Sequence, residues 1–348
     1  MYKSIFRPLF FLLQPETIHH WVAFFLKIVG NVPPLRSFFR WYLTVKDQSL
    51  EREVFGLHFP NPVGIAAGFD KNAEMIDSIS AFGFGFTEIG TVTPKGQPGN
   101  PKPRLFRIKR SHGLINRMGF NNQGLEEAVN QLKKHRTKGI IGGNIGKNTL
   151  TPNSIAWQDY ETNFNGLFDH VDYFVVNVSC PNISDLKELQ DQEALLQILN
   201  RIQLINNQKP KRKPVLLKVS PDLNNQQLDE VIEIVKLTGI DGVVATNTSI
   251  TRNLPEYTSD EIKAIGNGGL SGMPLRNRST EVIRYLAEKS GKAFPIIGVG
   301  GIFTAADAIE KLEAGADLVQ VYTGFIYEGP SIARKINRAL LKKSRQKV

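Results

Sequence analysis

The chain has 348 residues, of which 41% are hydrophobic and 22% charged, and its formal net charge is +10 at pH 7. This composition is typical of a globular protein with a sizeable core and excludes a low-complexity or disordered chain. A single cysteine excludes an internal disulfide framework. The positive charge is compatible with an anionic membrane or anionic ligands. Nucleic acid is not an expected partner, because no nucleic-acid motif accompanies the short basic runs at residues 209–213 and 342–347.

Residues 1–45 differ from the rest of the chain, since they are rich in Phe and Trp and contain almost no acid. Apolar residues at helical spacing predict two short amphipathic helices, separated at Gln14-Pro15. The apolar runs fall well short of the ~20 residues that span a bilayer, and no signal-peptide cleavage site follows them. We expect a helical domain over residues 1–45 that lies in a membrane interface. The alternative is a helical arm packed on the protein itself, and Pro33-Pro34 with residues 45–53 are predicted to form a linker.

From residue 59 onwards, short apolar strands alternate with amphipathic helical stretches. Eight such repeats favour a closed (β/α)8 TIM barrel, an α/β fold, over residues 46–348. An open doubly wound sheet is the alternative, because no single repeat encodes closure. Residues 93–139 are too many for one crossover and predict an insertion above the barrel mouth. The predicted strands are residues 63–68, 86–92, 140–146, 173–178, 215–219, 242–247, 296–301 and 318–324.

Polar residues stand at the carboxyl end of nearly every predicted strand, where the active sites of such barrels lie. Their amide and hydroxyl groups suit a flat polar ring with several carbonyls, and two lysines suit a negative charge. Glycine-rich turns after the last two strands, and the small-residue turn at residues 268–272, are suited to phosphate binding. These strand-end residues are Asp70, Lys71, Asn144, Lys147, Asn177, Cys180, Asn182, Lys218, Thr246, Asn247, Thr248, Gly300, Gly301, Tyr322, Thr323 and Gly324.

Cys180 directly follows the fourth predicted strand, between Ser179 and Pro181. A thiol in that position is suited to proton transfer or nucleophilic attack, whereas the ordinary alternative is a small buried side chain. The histidines are scattered without metal-ligand spacing, so no metal is expected, and no Walker loop, hydrolase elbow or full dinucleotide fingerprint is present. A phosphate-tethered redox cofactor therefore fits the pattern better than metal or hydrolase chemistry.

Eight stretches of the chain resemble the dihydroorotate dehydrogenases, and they occur in the family's order. The N-terminal helix pair and KPRLFR at residues 102–107 resemble the membrane-bound, quinone-reducing class 2 enzymes. The resemblance implies an FMN cofactor and oxidation of (S)-dihydroorotate to orotate, in pyrimidine synthesis, with a membrane quinone as acceptor. It also implies peripheral attachment to the cytoplasmic face of the inner membrane. The stretches are VGIAAGFDKNAE (63–74), GFGFTEIGTVTP (83–94), INRMGFNNQG (115–124), NVSCPN (177–182), TNT (246–248), GGLSG (268–272), GVGGI (298–302) and VQVYTG (319–324).

The resemblance implies a role for each residue that matches a family motif. The implied pyrimidine-binding set is Lys71, Asn116, Arg117, Met118, Gly119, Phe120, Asn177, Asn182, Asn247 and Thr248. The implied flavin-binding set is Ala67, Gly68, Phe69, Asp70, Lys71, Thr91, Asn144, Asn177, Lys218, Thr246, Gly272, Gly300, Gly301, Tyr322 and Thr323. The implied quinone site contains His19, Arg107 and Tyr322, and Cys180 takes the position of the catalytic base.

The base position departs from the class 2 pattern, because Ser is typical there and Cys is typical of the soluble class 1 enzymes. Residues 183–187 (ISDLK) also depart from the family's Thr-x-Gly-Leu-Arg type of sequence. In the expected mechanism, Cys180 takes a proton from C5 of dihydroorotate while a hydride leaves C6 for the flavin. A soluble acceptor, fumarate or NAD, is the alternative on the same barrel. A non-redox phosphate-binding barrel and a membrane-associated binding protein are remote alternatives, and the oligomeric state stays open, a monomer included.

Overall fold

The structure is a computed structural model that describes residues 2–178 and 192–346. A helical arm comes first, with a wide turn over Tyr2–Phe6, α1 at Arg7–Phe10, α2 at Pro15–Asn31 and α3 at Pro33–Leu43. The arm thus confirms the predicted break at Gln14-Pro15, but the prediction of a linker at Pro33-Pro34 is wrong. These prolines begin α3 instead, since proline at the first turn of a helix loses no hydrogen bond that the helix needs.

A two-stranded antiparallel hairpin of β1 (Arg52–Val54) and β2 (Leu57–Phe59) follows the arm, partly within the predicted linker. Phe59 is fully buried and its ring packs edge-on against Phe86, with ring centroids 5.2 Å apart. The hairpin also contributes Val54 to an apolar cluster with the first residues of several barrel strands, such as Tyr173 and Leu318. It therefore closes the amino end of the barrel.

Eight parallel strands pair in a closed ring, which confirms the predicted (β/α)8 barrel and excludes an open sheet. These strands are almost wholly buried, as expected of parallel strands that are covered on both faces. Five of the predicted strands run one to three residues past the observed ends. In three of them the extra residues, such as Thr246, Gly300 and Tyr322, have left the ladder and line the barrel mouth. The barrel strands are β3 (Val63–Asp70), β4 (Phe86–Val92), β9 (Ile140–Ile145), β10 (Tyr173–Asn177), β11 (Val215–Val219), β12 (Gly242–Ala245), β14 (Ile296–Val299) and β15 (Leu318–Val321).

Helices cover the outside of the barrel and bury their apolar faces against it. Some begin with a reciprocal capping box, as at Asn224 and Gln227, which satisfies free N–H groups of the first turn. The helices are α4 (Ile76–Ala81), α5 (Leu125–Leu132), α6 (Ala156–Leu167), α7 (Gln192–Asn207), α8 (Asn225–Thr238), α9 (Ser259–Ile265), α10 (Arg276–Lys289), α11 (Ala305–Glu313), α12 (Thr323–Glu328) and α13 (Ile332–Arg345).

Two excursions from the barrel build its upper rim. The first fills the predicted insertion with β5 (Lys95–Gln97), β6 (Leu105–Ile108), β7 (Gly113–Asn116) and β8 (Asn122–Gly124). The second contributes α9 and β13 (Gly269–Gly272), which pairs antiparallel with β7. The prediction of a turn at residues 268–272 is therefore wrong for most of the motif. Its small residues fit a strand that lies close to another backbone, where a Cβ on Gly272 would come within 2.5 Å of His112 O.

Candidate active site

A cavity of about 150 Å³ lies at the carboxyl ends of the barrel strands and is open to solvent. It brings together most of the predicted site residues, although they come from widely separated parts of the sequence. From the predicted pyrimidine set it is lined by Lys71, Asn116, Met118, Gly119, Phe120, Asn177, Asn247 and Thr248. From the predicted flavin set it is lined by Ala67, Gly68, Thr91, Lys218, Thr246, Gly272, Gly300, Gly301, Tyr322 and Thr323.

Of the described residues in these two sets, four lie outside the lining, and so does the predicted strand-end residue Lys147, which is buried. The guanidinium of Arg117 faces the second excursion, where it donates to Ile265 O at 2.6 Å and to Asn267 O at 2.9 Å. Asp70 is fully buried and accepts from the backbone N–H groups of Glu74 and Met75, both at 2.8 Å. The structure thus places Asp70 and Arg117 as supports of the neighbouring loops. The other two residues are buried: Asn144 belongs to the hydrogen-bond network under the cavity, and Phe69 packs against His19 and Tyr322.

A continuous hydrogen-bond network forms the floor of the cavity. Asn177 donates to Thr91 Oγ1 at 3.1 Å and to Asn144 Oδ1 at 3.3 Å. Asn144 in turn donates to one carboxylate oxygen of the fully buried Glu88, at 2.8 Å. Because buried polar groups are costly when unpaired, this network fixes the orientation of the amides at the surface of the cavity.

Gln320 occupies the other side of the same network, and the sequence analysis missed it. Its amide donates to the second oxygen of Glu88 at 2.7 Å, while its own side-chain oxygen is buried and has no partner in the part of the chain that the structure describes. A lone amide within the apolar strand LVQV was the available signal. Further lining residues that were missed are Ala66, Asn121, Ser271, Leu275, Val299, Ile302 and Val321, whereas the predicted strand-end residue Gly324 does line the cavity.

Lys71 has the most strongly perturbed amine on the cavity wall. Burial lowers its pKa to about 8, while the nearby carboxylate of Glu16 acts in the opposite direction. Its Nζ donates to Gly68 O at 2.9 Å, which holds the side chain against the end of β3. Near neutral pH the amine is therefore mostly protonated and presents a positive charge to an anionic ligand.

Glycines line one end of the cavity, after β14 and β15. Gly300, Gly301 and Gly324 have no side chains, so they present backbone atoms to any ligand there. Gly300 has a φ of +127°, and a Cβ at this position would lie 2.8 Å from Ser279 Cβ. Thr323 adds a hydroxyl that hydrogen-bonds Ser271 Oγ at 2.9 Å. Backbone and hydroxyl groups of this kind suit a phosphate.

The predicted quinone-site residues lie between the barrel and the arm. The His19 ring packs edge-on against Phe69, with ring centroids 5.5 Å apart, and Phe69 packs against Tyr322 at 6.0 Å. Burial, and then the charge of Lys71, lowers the pKa of His19 to about 3, so its ring is neutral. Arg107, a residue of β6, contacts the arm further towards its N-terminus, where it donates to Phe10 O at 3.1 Å. A row of rings therefore leads from the cavity towards α2, and Arg107 contacts the last residue of α1.

The predicted base Cys180 and the predicted pyrimidine ligand Asn182 lie outside the described residues. Their roles stay predictions from the sequence. Described residues lead up to them, since Asn177 at the end of β10 lines the cavity three positions before Cys180.

Comparison with known proteins agrees with the resemblance. Residues 49–343 match the family model described as dihydroorotate dehydrogenase. A protein of Christiangramia forsetii named dihydroorotate dehydrogenase (quinone) is 58% identical over 344 residues, which cover 99% of each chain. A protein of Thermosynechococcus vestitus with the same name is 46% identical over 98% of this chain and 96% of its own.

Solved structures give the same result for the fold. The ligand-free structure of dihydroorotate dehydrogenase from Eimeria tenella superposes with a TM-score of 0.85 at 34% identity, covering 95% of both chains. Its complex with ferulenol superposes with a TM-score of 0.81 at 35% identity, covering 91% of this chain and 93% of that one. The chain therefore belongs to the dihydroorotate dehydrogenase family, within its quinone-dependent class.

Proposed function

We propose that this chain oxidises (S)-dihydroorotate to orotate with FMN at the barrel mouth and passes the electrons to a membrane quinone, in pyrimidine synthesis. The reaction follows from family membership and from full-length relatives named for the quinone-dependent enzyme. The observation that supports the residue assignments is the convergence, on one cavity, of residues that match the family's motifs.

The residues of the cavity fit FMN at both of its ends. The unpaired buried oxygen of Gln320 is an acceptor for an N–H donor, which the flavin ring carries. The glycine-lined end with Thr323 suits the phosphate, and Lys218 also lines the cavity. The residues that would hold FMN are those of the predicted flavin set that line the cavity. When bound, FMN supplies two-electron redox chemistry.

The protein's own groups bind and orient the substrate. Lys71 pairs with an anionic group of the substrate, while Asn116, Asn177 and Asn247 bind its ring carbonyls and N–H groups. Asn247 donates to Asn177 Oδ1 at 3.3 Å, so the two amides are held in one orientation. Such preorganisation aligns the two breaking C–H bonds and contributes to rate by positioning.

Cys180 is the base that we propose to remove a proton from C5 of dihydroorotate. An unperturbed thiol has a pKa near ~8.5, so substrate oxidation should become faster as the pH rises towards that value. Cys180→Ala should keep the flavin absorbance and lose most of the reduction by substrate. An undiminished rate in that variant would move the base to Ser179.

We assign residues 1–45 to membrane attachment and quinone access, and residues 46–348 to FMN binding and catalysis. No helix among residues 2–178 and 192–346 is both long and apolar enough to cross a bilayer. The arm instead exposes large apolar side chains, among them Trp21 at 62%, Phe24 at 66% and Trp41 at 78% exposure. An interfacial helix group of this kind supports peripheral attachment, which we place at the cytoplasmic face of the inner membrane.

Anaerobic mixing of the purified protein with dihydroorotate tests the proposal, with the flavin absorbance as the readout. We expect bleaching by the substrate and recovery on addition of a quinone. Bleaching followed by recovery only with fumarate or NAD would move the protein to the soluble-acceptor alternative that Cys180 suggests. Absence of any flavin band, even after reconstitution with FMN, would refute the cofactor assignment.

A further inference from the structure

An ion pair links the N-terminal arm to the first excursion above the barrel. Glu16, at the start of α2, accepts from Arg104 Nη2 at 2.7 Å and from Arg104 Nε at 3.2 Å. Both side chains are largely buried, with exposures of 7% for Arg104 and 12% for Glu16. A buried, bidentate pair of this kind is stronger and more specific in geometry than a surface ion pair.

The same guanidinium also holds the loop that precedes β6. Arg104 Nη1 donates to Pro98 O at 2.5 Å and to Asn100 O at 3.0 Å. Four of the five donors of this planar arginine are thus divided between a carboxylate of the arm and two carbonyls of the excursion. A shift of Glu16 would therefore change the position of Asn100.

Asn100 in turn fixes residues 116–120, which we call the substrate segment because four of its five members line the cavity. Its N–H donates to Met118 O at 3.1 Å and its side-chain amide donates to Arg117 O at 3.0 Å. Gly119 has a φ of +69°, and a Cβ there would lie 2.8 Å from Oδ1 and Cγ of Asn100. The two hydrogen bonds from Asn100 therefore hold the loop and the segment together.

We infer that the Glu16–Arg104 ion pair positions the substrate segment, so that docking of the N-terminal arm determines the affinity of the pyrimidine site. Glu16 and Arg104 are positioning residues, since they act through Asn100 rather than on the substrate. The inference rests on the proposed function, because it takes residues 116–120 as part of the orotate site.

The electrostatics of Lys71 give the pair a second route to the site. The charged and titratable groups around Lys71 are Glu16 and His19 from α2, Arg104 from the excursion, and Asp70 beside it. After burial, which lowers the pKa of Lys71, Glu16 raises that pKa and Arg104 lowers it. Removing either partner should therefore change the pH range in which the site binds an anion, and the two removals should have opposite signs.

The test is orotate binding to the full-length, FMN-loaded protein, measured by titration calorimetry. Glu16→Gln keeps the size of the side chain and removes its charge, and should raise the Kd of orotate about tenfold, within the range of coupling between sites. The rate at saturating dihydroorotate should change by less than about twofold, because bound substrate restores the segment. The matched control is Lys3→Gln, which removes another arm–barrel ion pair, Lys3–Glu328 at 2.6 Å.

The pH dependence separates positioning from general loosening of the fold. In Glu16→Gln the alkaline loss of orotate binding should move to lower pH, and in Arg104→Met it should move to higher pH. Arg104→Lys keeps the charge but not the fork of donors. It should therefore leave the alkaline limb in place and give an intermediate Kd, and it tests the positioning role if Arg104→Met does not fold.

Two results would overturn the inference. One is a Kd in Glu16→Gln within twofold of the parent protein, and the other is an equal rise in Lys3→Gln. Alkaline limbs that coincide in all variants would remove the electrostatic route. Absence of orotate binding in the unmodified protein would instead refute the proposed function, so the two failures are distinguishable.

Discussion

The barrel mouth and the outer face of the arm satisfy their side chains in opposite ways. At the mouth, buried polar groups such as Glu88, Asn144 and Asn177 are paired with one another inside the protein. On the arm, large apolar side chains face outwards and are not covered by any described part of the chain. The barrel mouth, where polar groups are already paired inside the protein, has room only for a small ligand. An exposed apolar surface, by contrast, is typical of a face that binds another protein or a membrane.

The inner face of the arm shows that this exposure is not a property of the whole segment. Leu26, Val29 and Leu43 are buried in a cluster with the barrel residues Ile65 and Val321. Lys27 adds an ion pair with Glu74 at 2.6 Å. The arm is therefore packed on its own barrel, as one alternative from the sequence predicted. It exposes a second apolar face as well, and attachment of that face to a membrane stays a prediction. We expect the packed face to support the fold and the exposed face to contact lipid.

Loss of the Lys71 charge should have the largest effect on the barrel-mouth side of this comparison. Lys71→Met should weaken orotate binding and lower kcat/KM for dihydroorotate by at least about 100-fold, because an anion would be left without its buried partner. Calorimetry and initial-rate kinetics measure the two effects. Lys95→Met, which removes an exposed lysine from the rim, is the control. A similar loss in both variants would contradict a specific role for Lys71.

Polar substitutions on the exposed face of the arm should break the other side of the comparison. The triple variant Trp21→Gln, Phe24→Gln and Trp41→Gln should reduce partition onto anionic lipid vesicles by at least about tenfold, since it removes apolar area that would enter the interface. Vesicle sedimentation measures the partition. The double variant Leu204→Gln and Leu237→Gln alters exposed apolar residues of the barrel helices and should leave partition unchanged. Equal effects would show that the arm is not the membrane surface.

The buried network should respond to Glu88→Gln with a loss of stability. A carboxylate accepts from both Asn144 and Gln320, whereas an amide turns one of these contacts into a donor facing a donor. We expect the free energy of unfolding to fall by about 1–3 kcal/mol, the cost of a buried unsatisfied group. Urea denaturation measures it, with Glu233→Gln on the exposed face of α8 as the control. A change within the error of the control would mean that water replaces the lost bond.

At the junction of the two regions, His19 is held neutral. Its pKa is about 3 in the folded chain against an ordinary value of 6.5, so the unfolded chain binds more protons between these values. The contribution of the neutral His19 ring to the free energy of unfolding is fully present above pH 6.5 and is lost as the pH falls towards 3. Asp70 acts in the opposite direction, because burial raises its pKa from 3.8 to about 6.

His19→Gln isolates this contribution from that of Asp70. The variant should lose less stability than the parent protein when the pH is lowered from 7 to 4, as followed by urea denaturation at each pH. The exposed neighbour gives the control, His20→Gln, which should retain the acid sensitivity of the parent. Identical pH profiles for the parent and His19→Gln would contradict a buried neutral His19.

The sequence alone determined the features that depend on local pattern. Continuous apolar strands alternating with amphipathic stretches identified all eight barrel strands, because burial on both faces requires such runs. Short ordered motifs identified the family and most of the cavity lining, since strand-end residues of a parallel barrel meet at one mouth. The amphipathic helices of the arm were also readable from spacing, except that a double proline was taken for a break.

The tertiary structure decided what depends on contacts between distant residues. The motifs implied ligand contacts for Asp70, Asn144 and Arg117, which stay predictions, whereas the protein groups that hold these side chains are visible only in the fold. Gln320 and Arg104 lie within the family-like stretches VQVYTG and KPRLFR, but those stretches do not indicate their hydrogen-bond partners, Glu88 and Glu16. Their partners lie 232 and 88 residues away in the chain, and no local pattern encodes a hydrogen bond over that separation. Closure of the barrel brings such residues together, and burial then makes each of their hydrogen bonds necessary.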